Sequence, residues 1–290
     1  MREKARPILI PLMGGLGNQL FQFSAGLYLR KFMYRSPRFS ISSLNSNGNT
    51  PRAFMLGDLI SEESKCGYKR FFFAGVKILS FLVPSLWVAE RDFGDFPIAR
   101  VGRNTKVLLG YFQRSIYVDS VATDILSAMS NSAIFQDILL APPVNNIAVH
   151  IRYGDYLIDP QTKRVHGLSA MSYYVNSVKL LQTTRKYDQV VVYSDNPQRA
   201  YSDFSRAFGS SEIPITMIEN SSEYEDLAGM ASSKGLVISN SSFSWWAAWI
   251  GTQLHGCNVV APRPWFANPT AADDNLLPDE WTVLNRNLQA

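Results

Sequence analysis

The residues best equipped for chemistry lie where apolar runs give way to helical patterns. His150-Ile151-Arg152-Tyr153-Gly154-Asp155 is the first such place. An arginine just beyond a strand offers paired N–H donors to a diphosphate and steadies the charge a departing diphosphate gathers. Asp155 is suited to accept a proton or to hold Arg152, and His150 is a second proton-handling group. A plain Arg–Asp ion pair at a domain edge would account for two of these residues, but not for the histidine and the position together. Next comes Ser194-Asp195-Asn196-Pro197. Asn196 and Pro197 read as a helix N-cap and its first residue, which leaves Asp195, a carboxylate able to accept two donors of a guanine edge. In the third place, Ser239-Asn240-Ser241-Ser242-Phe243, hydroxyls and free N–H groups at a helix start suit a phosphate. Trp245 and Trp246 behind it are expected in the core.

Gly14-Gly15-Leu16-Gly17-Asn18-Gln19 follows a strand and opens a helix, so the backbone at Gly15 and Gly17 is a candidate anion site; a tight turn explains it equally well. A dinucleotide site would want a third glycine where Leu20 stands and an acid about twenty residues on. No acid occurs between Glu3 and Asp58, which excludes NAD. GxxxxGK[ST], HExxH and Asp-x-Asp are all missing, so no metal or cofactor is expected, and a diphosphate would rest on Arg152, hydroxyls and helix N-termini.

The elements that must position these residues are clearest in the second half. Apolar runs at Ile147–Ile151, Val190–Tyr193, Ile215–Ile218, Leu236–Ser239 and Val259–Ala261 alternate with helical patterns at Met171–Thr184, Pro197–Phe208, Tyr224–Ser232 and Ser244–Ile250. That alternation predicts a parallel, Rossmann-like α/β sheet. In the first half a strand at Ile8–Met13, a helix at Gln19–Lys31, a long loop over Ser36–Arg52, a strand at Lys106–Tyr111 and a helix around Ser120–Ser130 are expected. Ala141–Asn146 reads as a hinge, giving an N-terminal lobe over 1–146 and a C-terminal lobe over 147–290.

Residues 1–146 hold 17 basic and 10 acidic side chains, and residues 147–290 hold 11 and 14, an asymmetry that suits two lobes with different partners. Phe71–Val88 is nearly long enough to span a bilayer, but Lys77 and Pro84 interrupt it. It reads either as a buried core helix or as a surface-seeking segment resting on a membrane. The short apolar run at the N-terminus reads as a first strand, not a signal peptide. The two cysteines, Cys66 and Cys257, are too far apart and too few for a disulfide framework and suit a reducing compartment. No nucleic-acid partner is expected.

Taken together, GGLGNQLFQFSAGLYL, VHIRYGDYL, VVYSDN, ISNSSFSWWAAWIG and VVAPRPWF resemble the α1,2-fucosyltransferase family, glycosyltransferase family 11, in order and spacing. The likeness runs from Gly14 to Phe266 and is thinnest between Phe32 and Ser115. It implies a GT-B-like architecture, two Rossmann-like lobes with the active site in the cleft. It further implies a metal-independent, inverting transfer of L-fucose from GDP-fucose to the 2-hydroxyl of a terminal galactoside. The acceptor is then a galactose-terminated oligosaccharide or lipid-linked glycan such as an O-antigen. By the same resemblance Arg152 binds the diphosphate, Asp195 the guanine, and Asn240, Ser241, Ser242 and Phe243 the nucleotide, while Asn18 lines the cleft near the fucose. Many relatives carry a second arginine where this chain has Tyr153. Asp155 is the first candidate for a general base, ahead of His150 and Asp159. The family's animal members carry an N-terminal membrane anchor that is not seen here, so a cytoplasmic protein at the inner membrane face fits. Two other readings stay open: a transferase using another GDP-sugar or acceptor hydroxyl, and a non-catalytic sugar-nucleotide-binding protein.

Overall fold

The computed structural model describes residues 5–45, 52–66, 75, 78–79, 81–91, 95, 97–154, 166–210, 212–267 and 275–287. The chain divides into two compact units, Met1–Ile134 and Phe135–Ala290. The division falls inside a helix, α4, Ala133–Leu140, ahead of the expected break after Asn146. Phe135 is fully buried with its ring edge-on to Tyr224 at 5.8 Å, which ties this helix to the second unit. The expected hinge is thus partly strand: Val144–Asn146 already belong to β6 (Val144–Ile151).

The first unit is a parallel sheet in the order β3-β2-β1-β5-β4, built from β1 (Arg6–Pro11), β2 (Arg35–Ser40), β3 (Lys65–Cys66), β4 (Trp87–Ala89) and β5 (Val107–Leu109). Helix α1 (Leu16–Met33) follows β1, and α2 (Ser115–Asp119) and α3 (Ala122–Ser130) replace the single helix expected near Ser120–Ser130. The expected loop over Ser36–Arg52 is corrected in its first part, because β2 pairs with β1 from Arg6↔Arg35 to Pro11↔Ser40. Polar and proline-containing, β2 owes its place to tertiary contacts rather than propensity. The Arg35 guanidinium is buried and donates to the carbonyls of Arg6 (3.2 Å), Pro7 (3.2 Å), Gly102 (2.7 Å) and Thr105. The Phe39 ring fills the space at Gly26, where a Cβ would come within 2.5 Å of it, so α1 lies close on the sheet.

In the second unit the strands β6 (Val144–Ile151), β7 (Gln189–Ser194), β8 (Ile215–Met217), β9 (Ser233–Val237), β10 (Asn258–Arg263) and β11 (Thr282–Asn285) form a parallel sheet in the order β11-β10-β9-β6-β7-β8. Counted within the unit, that is the doubly wound order whose direction reverses between its first and fourth strands, β6 and β9. Helices α5 (Met171–Thr184), α6 (Pro197–Phe208), α7 (Glu223–Ala231) and α8 (Ser242–His255) alternate with the strands. The first two match the expected bounds; α8 is longer at both ends than Ser244–Ile250. Trp245, Trp246 and Trp249 are buried, as expected of a core face. Gly251 lets α8 approach α7, since a Cβ there would meet the Ala231 carbonyl at 2.7 Å.

Seven of the eighteen residues of Phe71–Val88 lie outside the described residues. Among those described, Ile78, Leu79, Phe81, Leu82 and Val83 are exposed, which corrects the buried-helix reading at these positions. No helix among the described residues is long and apolar enough to cross a membrane.

Replacing Arg35 by Met leaves four backbone carbonyls, that of Thr105 buried, short of their donor. Unfolding in urea is expected to show a loss of about 3 kcal/mol, whereas Arg38→Met, on the same strand, is expected to stay within about 0.5 kcal/mol.

Candidate active site

Strand register brings the second unit's site together. β6 and β7 pair from Asn146↔Gln189 to Ile151↔Ser194, so Arg152 and Asp195 leave adjacent strand ends side by side. Arg152 Nη1 lies 3.0 Å from Asp195 Oδ2, and the Tyr153 N–H donates to Asp195 Oδ1 at 3.0 Å. The side chains remain 28% and 22% exposed, so the guanidinium is aimed by one carboxylate yet open to a ligand. Gly154, with φ +25°, completes the seat: a Cβ there would fall 2.3 Å from Asp195 Oδ2 and 3.0 Å from the Arg152 guanidinium carbon. Arg152 is therefore held by Asp195, the residue expected at a guanine edge. Asp155 and Asp159 lie outside the described residues.

His150 forms the buried wall beneath. Its Nδ1 is 2.8 Å from Ser239 Oγ, and the Phe243 ring stands edge-on at 5.8 Å. Burial, helped by the positive charge of Arg152, pushes its pKa down to about 3. A neutral, enclosed imidazole of that kind fixes Ser239 and the strand ends and is poorly suited to take a proton near neutral pH. Ser239, absent from the expected site residues, is thus the link between the ends of β6 and β9. It becomes visible only when the strand order puts the two side by side.

Ser241 caps α8, its hydroxyl accepting from the Phe243 N–H at 3.3 Å. Ser242 and Phe243 are half-buried at the helix start, where the first-turn N–H of Ser242 and the helix dipole favour an anion. Asn240 is buried and donates to the His166 carbonyl at 2.8 Å, which binds the strand end to the segment before α5. Arg286, 1% exposed, donates to the Gly167 carbonyl at 3.4 Å, and burial together with Arg286 and Arg152 lowers the His166 pKa to about 4. Tyr153, at the position where the family resemblance leads one to expect a second arginine, turns to the core. It is 7% exposed in the core, donates to Asp203 Oδ2 at 2.7 Å and lies under the Arg199 guanidinium at 4.8 Å.

In the first unit Gly15 is the N-cap of α1, with open space where a Cβ would stand, and Gly17 is buried in the first turn. The turn itself requires Gly14, at φ +76°, whose added Cβ would come within 2.3 Å of Asn18 Nδ2. Asn18 Oδ1 accepts from Gln113 Nε2 at 2.7 Å. Gln19 and Gln22, read only as part of a motif, are fully buried clamps. Gln19 donates to the carbonyls of Gly14 (2.9 Å) and Ala53 (2.8 Å) and accepts from Met55 N–H (2.9 Å). Gln22 donates to the Gly110 carbonyl (2.9 Å) and accepts from Met13 N–H (3.0 Å).

Two Rossmann-like units in one chain, one with an aimed guanidinium and a serine-capped helix where its strand order reverses, define a two-lobed, GT-B-like glycosyltransferase. The chain belongs to glycosyl transferase family 11, whose model matches residues 104–285. It is 29% identical over 308 residues to the O-antigen biosynthesis glycosyltransferase WbnK of Escherichia coli, covering 94% of this chain and 99% of that one. With the alpha-1,2-colitosyltransferase of Escherichia coli it shares 24% identity over 296 residues, 96% of this chain and 99% of that one. Among solved structures it is distantly similar to POFUT1 in complex with GDP, with 14% identity over 89% of this chain and 98% of that chain and a TM-score of 0.44.

Two histidines, His150 buried and His166 half-buried, set an acid limit. Their folded pKa values, about 3 and about 4, lie below the unfolded value of 6.5, so between pH 6.5 and 4 the unfolded chain binds protons that the native chain refuses. Stability is expected to fall by a few kcal/mol, order of magnitude, across that window in urea titrations. His150→Gln should flatten part of the slope; an unchanged slope would show that His150 is not held neutral.

Proposed function

We propose that this glycosyltransferase moves L-fucose from GDP-fucose to the 2-hydroxyl of a terminal galactoside in a surface glycan, with inversion and without a metal. The observation that carries the reading is the Arg152 guanidinium, set by Asp195 at the strand-order reversal beside the N-terminus of α8. The acceptor hydroxyl attacks the anomeric carbon, the bond from that carbon to the diphosphate oxygen breaks, GDP leaves from the opposite face, and the hydroxyl proton passes to solvent. Arg152 and the Ser242 N–H at the start of α8 stabilise the growing negative charge, an effect of several kcal/mol at a preorganised site. Asp195 positions Arg152 and, with three of about four acceptor sites taken by Arg152, the Tyr153 N–H and the Ser194 hydroxyl, keeps one acceptor site for a guanine edge. Departure of GDP does most of the work, consistent with a His150 too acidic to serve as base.

Membership in the family supports sugar transfer, and the alpha-1,2-colitosyltransferase relative supports attack by a 2-hydroxyl. That relative also favours a second reading, in which the donor carries colitose or another GDP-linked deoxy sugar.

The test is transfer in EDTA from GDP-fucose and GDP-mannose to a panel of galactosides, with product linkage determined. A fucosyl group on the galactose 2-hydroxyl is expected, and Arg152→Ala should lower kcat about 10²–10³-fold. Arg152→Lys should recover only part of this, because an ammonium lacks the paired donors. Near-full turnover by Arg152→Ala would overturn the site.

We further propose that the protein works in the cytoplasm against the inner membrane face. Exposed Ile78, Leu79, Phe81, Leu82 and Val83, in a half with 17 basic and 10 acidic residues, support this. Flotation with anionic vesicles at low salt is expected, with release at high salt; protein left in the soluble fraction at low salt would contradict it.

A further inference from the structure

We propose that Glu90, Asn18 and Gln113 form a saccharide-hydroxyl subsite at the strand-order reversal of the first unit, which takes the acceptor sugar. This rests on the transferase reading above. In the order β3-β2-β1-β5-β4 the reversal lies between β1 and β5, where a doubly wound sheet leaves a crevice beyond its strand ends. Asn18 follows β1, Gln113 follows β5, and Glu90 follows β4.

The hydrogen bonds separate structural amides from available ones. Gln19 and Gln22 commit both oxygen and nitrogen to backbone groups and are fully buried. Asn18 and Gln113 are half-buried and meet each other through one atom apiece, at 2.7 Å. Among the described residues, Asn18 Nδ2 and Gln113 Oε1 make no further side-chain hydrogen bond. Glu90 is half-buried as well: its Oε2 accepts from the N–H groups of Tyr111 (2.7 Å) and Phe112 (3.4 Å), while Oε1 has no hydrogen-bond partner among the described residues.

The backbone is bent to make that seat. Phe112 holds φ 57° while fully buried, a conformation that costs a non-glycine residue free energy. Gly110 must lack a side chain, since a Cβ would lie 2.7 Å from Glu90 Cβ and 2.8 Å from Oε2. Gln22 draws the same segment in through the Gly110 carbonyl. Strain and glycine together fix one carboxylate oxygen and leave the other presented. Burial also holds the Glu90 carboxyl above its ordinary range, against the pull of the two N–H groups and Arg114. An amide donor, an amide acceptor and a carboxylate acceptor match vicinal sugar hydroxyls, each of which donates and accepts.

Two variants separate this role from the donor site: Glu90→Gln, which keeps an oxygen for Tyr111 N–H, and Gln113→Ala, which leaves the Glu90 seat intact. Lactose binding is read by saturation-transfer NMR with GDP present, alongside initial rates and GDP affinity. Wild type should saturate lactose. Both variants should weaken it, raising the lactose KM about tenfold or more while GDP affinity and Tm stay within twofold and about 2 °C. Lactose bound equally by all three proteins, or not at all by wild type, overturns the subsite. Loss of GDP binding in step with lactose in both variants would likewise overturn it, since these residues would then support the fold and not a sugar. If lactose binds as predicted but GDP-fucose is neither bound nor turned over, the donor reading fails and the subsite stands.

Discussion

A charged guanidinium that must stay open to a ligand needs a partner to aim it, and that need organises the second unit. Arg152 extends from the last residue of a buried parallel strand, where nothing within its own strand would hold it. The β6–β7 register places Ile151 beside Ser194, so the next residue of each strand end, Arg152 and Asp195, meet. The Tyr153 N–H fixes the other carboxylate oxygen, and Gly154 supplies the room a side chain would take. A shift of one residue in that pairing would send Asp195 to the other face of the sheet and leave the cation without its guide.

The surroundings keep this cation the dominant local charge. His150 is neutral because it is buried beside Arg152, and its bond to Ser239 joins the ends of β6 and β9 without adding charge. Tyr153 directs its hydroxyl to Asp203 and its ring face to Arg199, so this position serves the helix layer and adds no second cation to the site. A single aimed guanidinium then faces the ligand, supported by the uncharged Ser242 N–H at the start of α8.

Much of the second unit was legible from the chain because its strands are continuous apolar runs and its helices alternate with them at helical periodicity. Pro197 and Gly209 bracket α6 within one residue. The first unit was harder to read. β2 is Arg-Ser-Pro-Arg-Phe-Ser, a loop by composition, and becomes an inner strand only because Arg35 and Phe39 are enclosed by neighbours distant in sequence. Arg152, His150 and the serine junction were correctly located at strand ends, but their partners were not evident. Asp195 as the partner of Arg152, Ser239 beneath His150 and Gln113 beside Asn18 all depend on strand order, which periodicity does not reveal. The glycine motif was legible as a turn, although the glycine that the turn requires is Gly14 and not the two expected to serve a ligand.

The adjacency of β6 and β9 also shapes how the chain reaches its native state. Val144 pairs with Ser233 and Val149 with Val237, whereas β7, the next strand in the chain, occupies the opposite side of β6. The strand-order reversal is therefore closed by one of the longest connections in the unit, and bringing such ends together is slow and entropically unfavourable. During synthesis β6 and β7 are complete long before Ser239 exists, so the wall beneath Arg152 forms only after most of the chain has emerged. A nucleotide bound at this junction recognises a finished fold and stabilises it by mass action. Its affinity doubles as a measure of how much of the population has folded to the end.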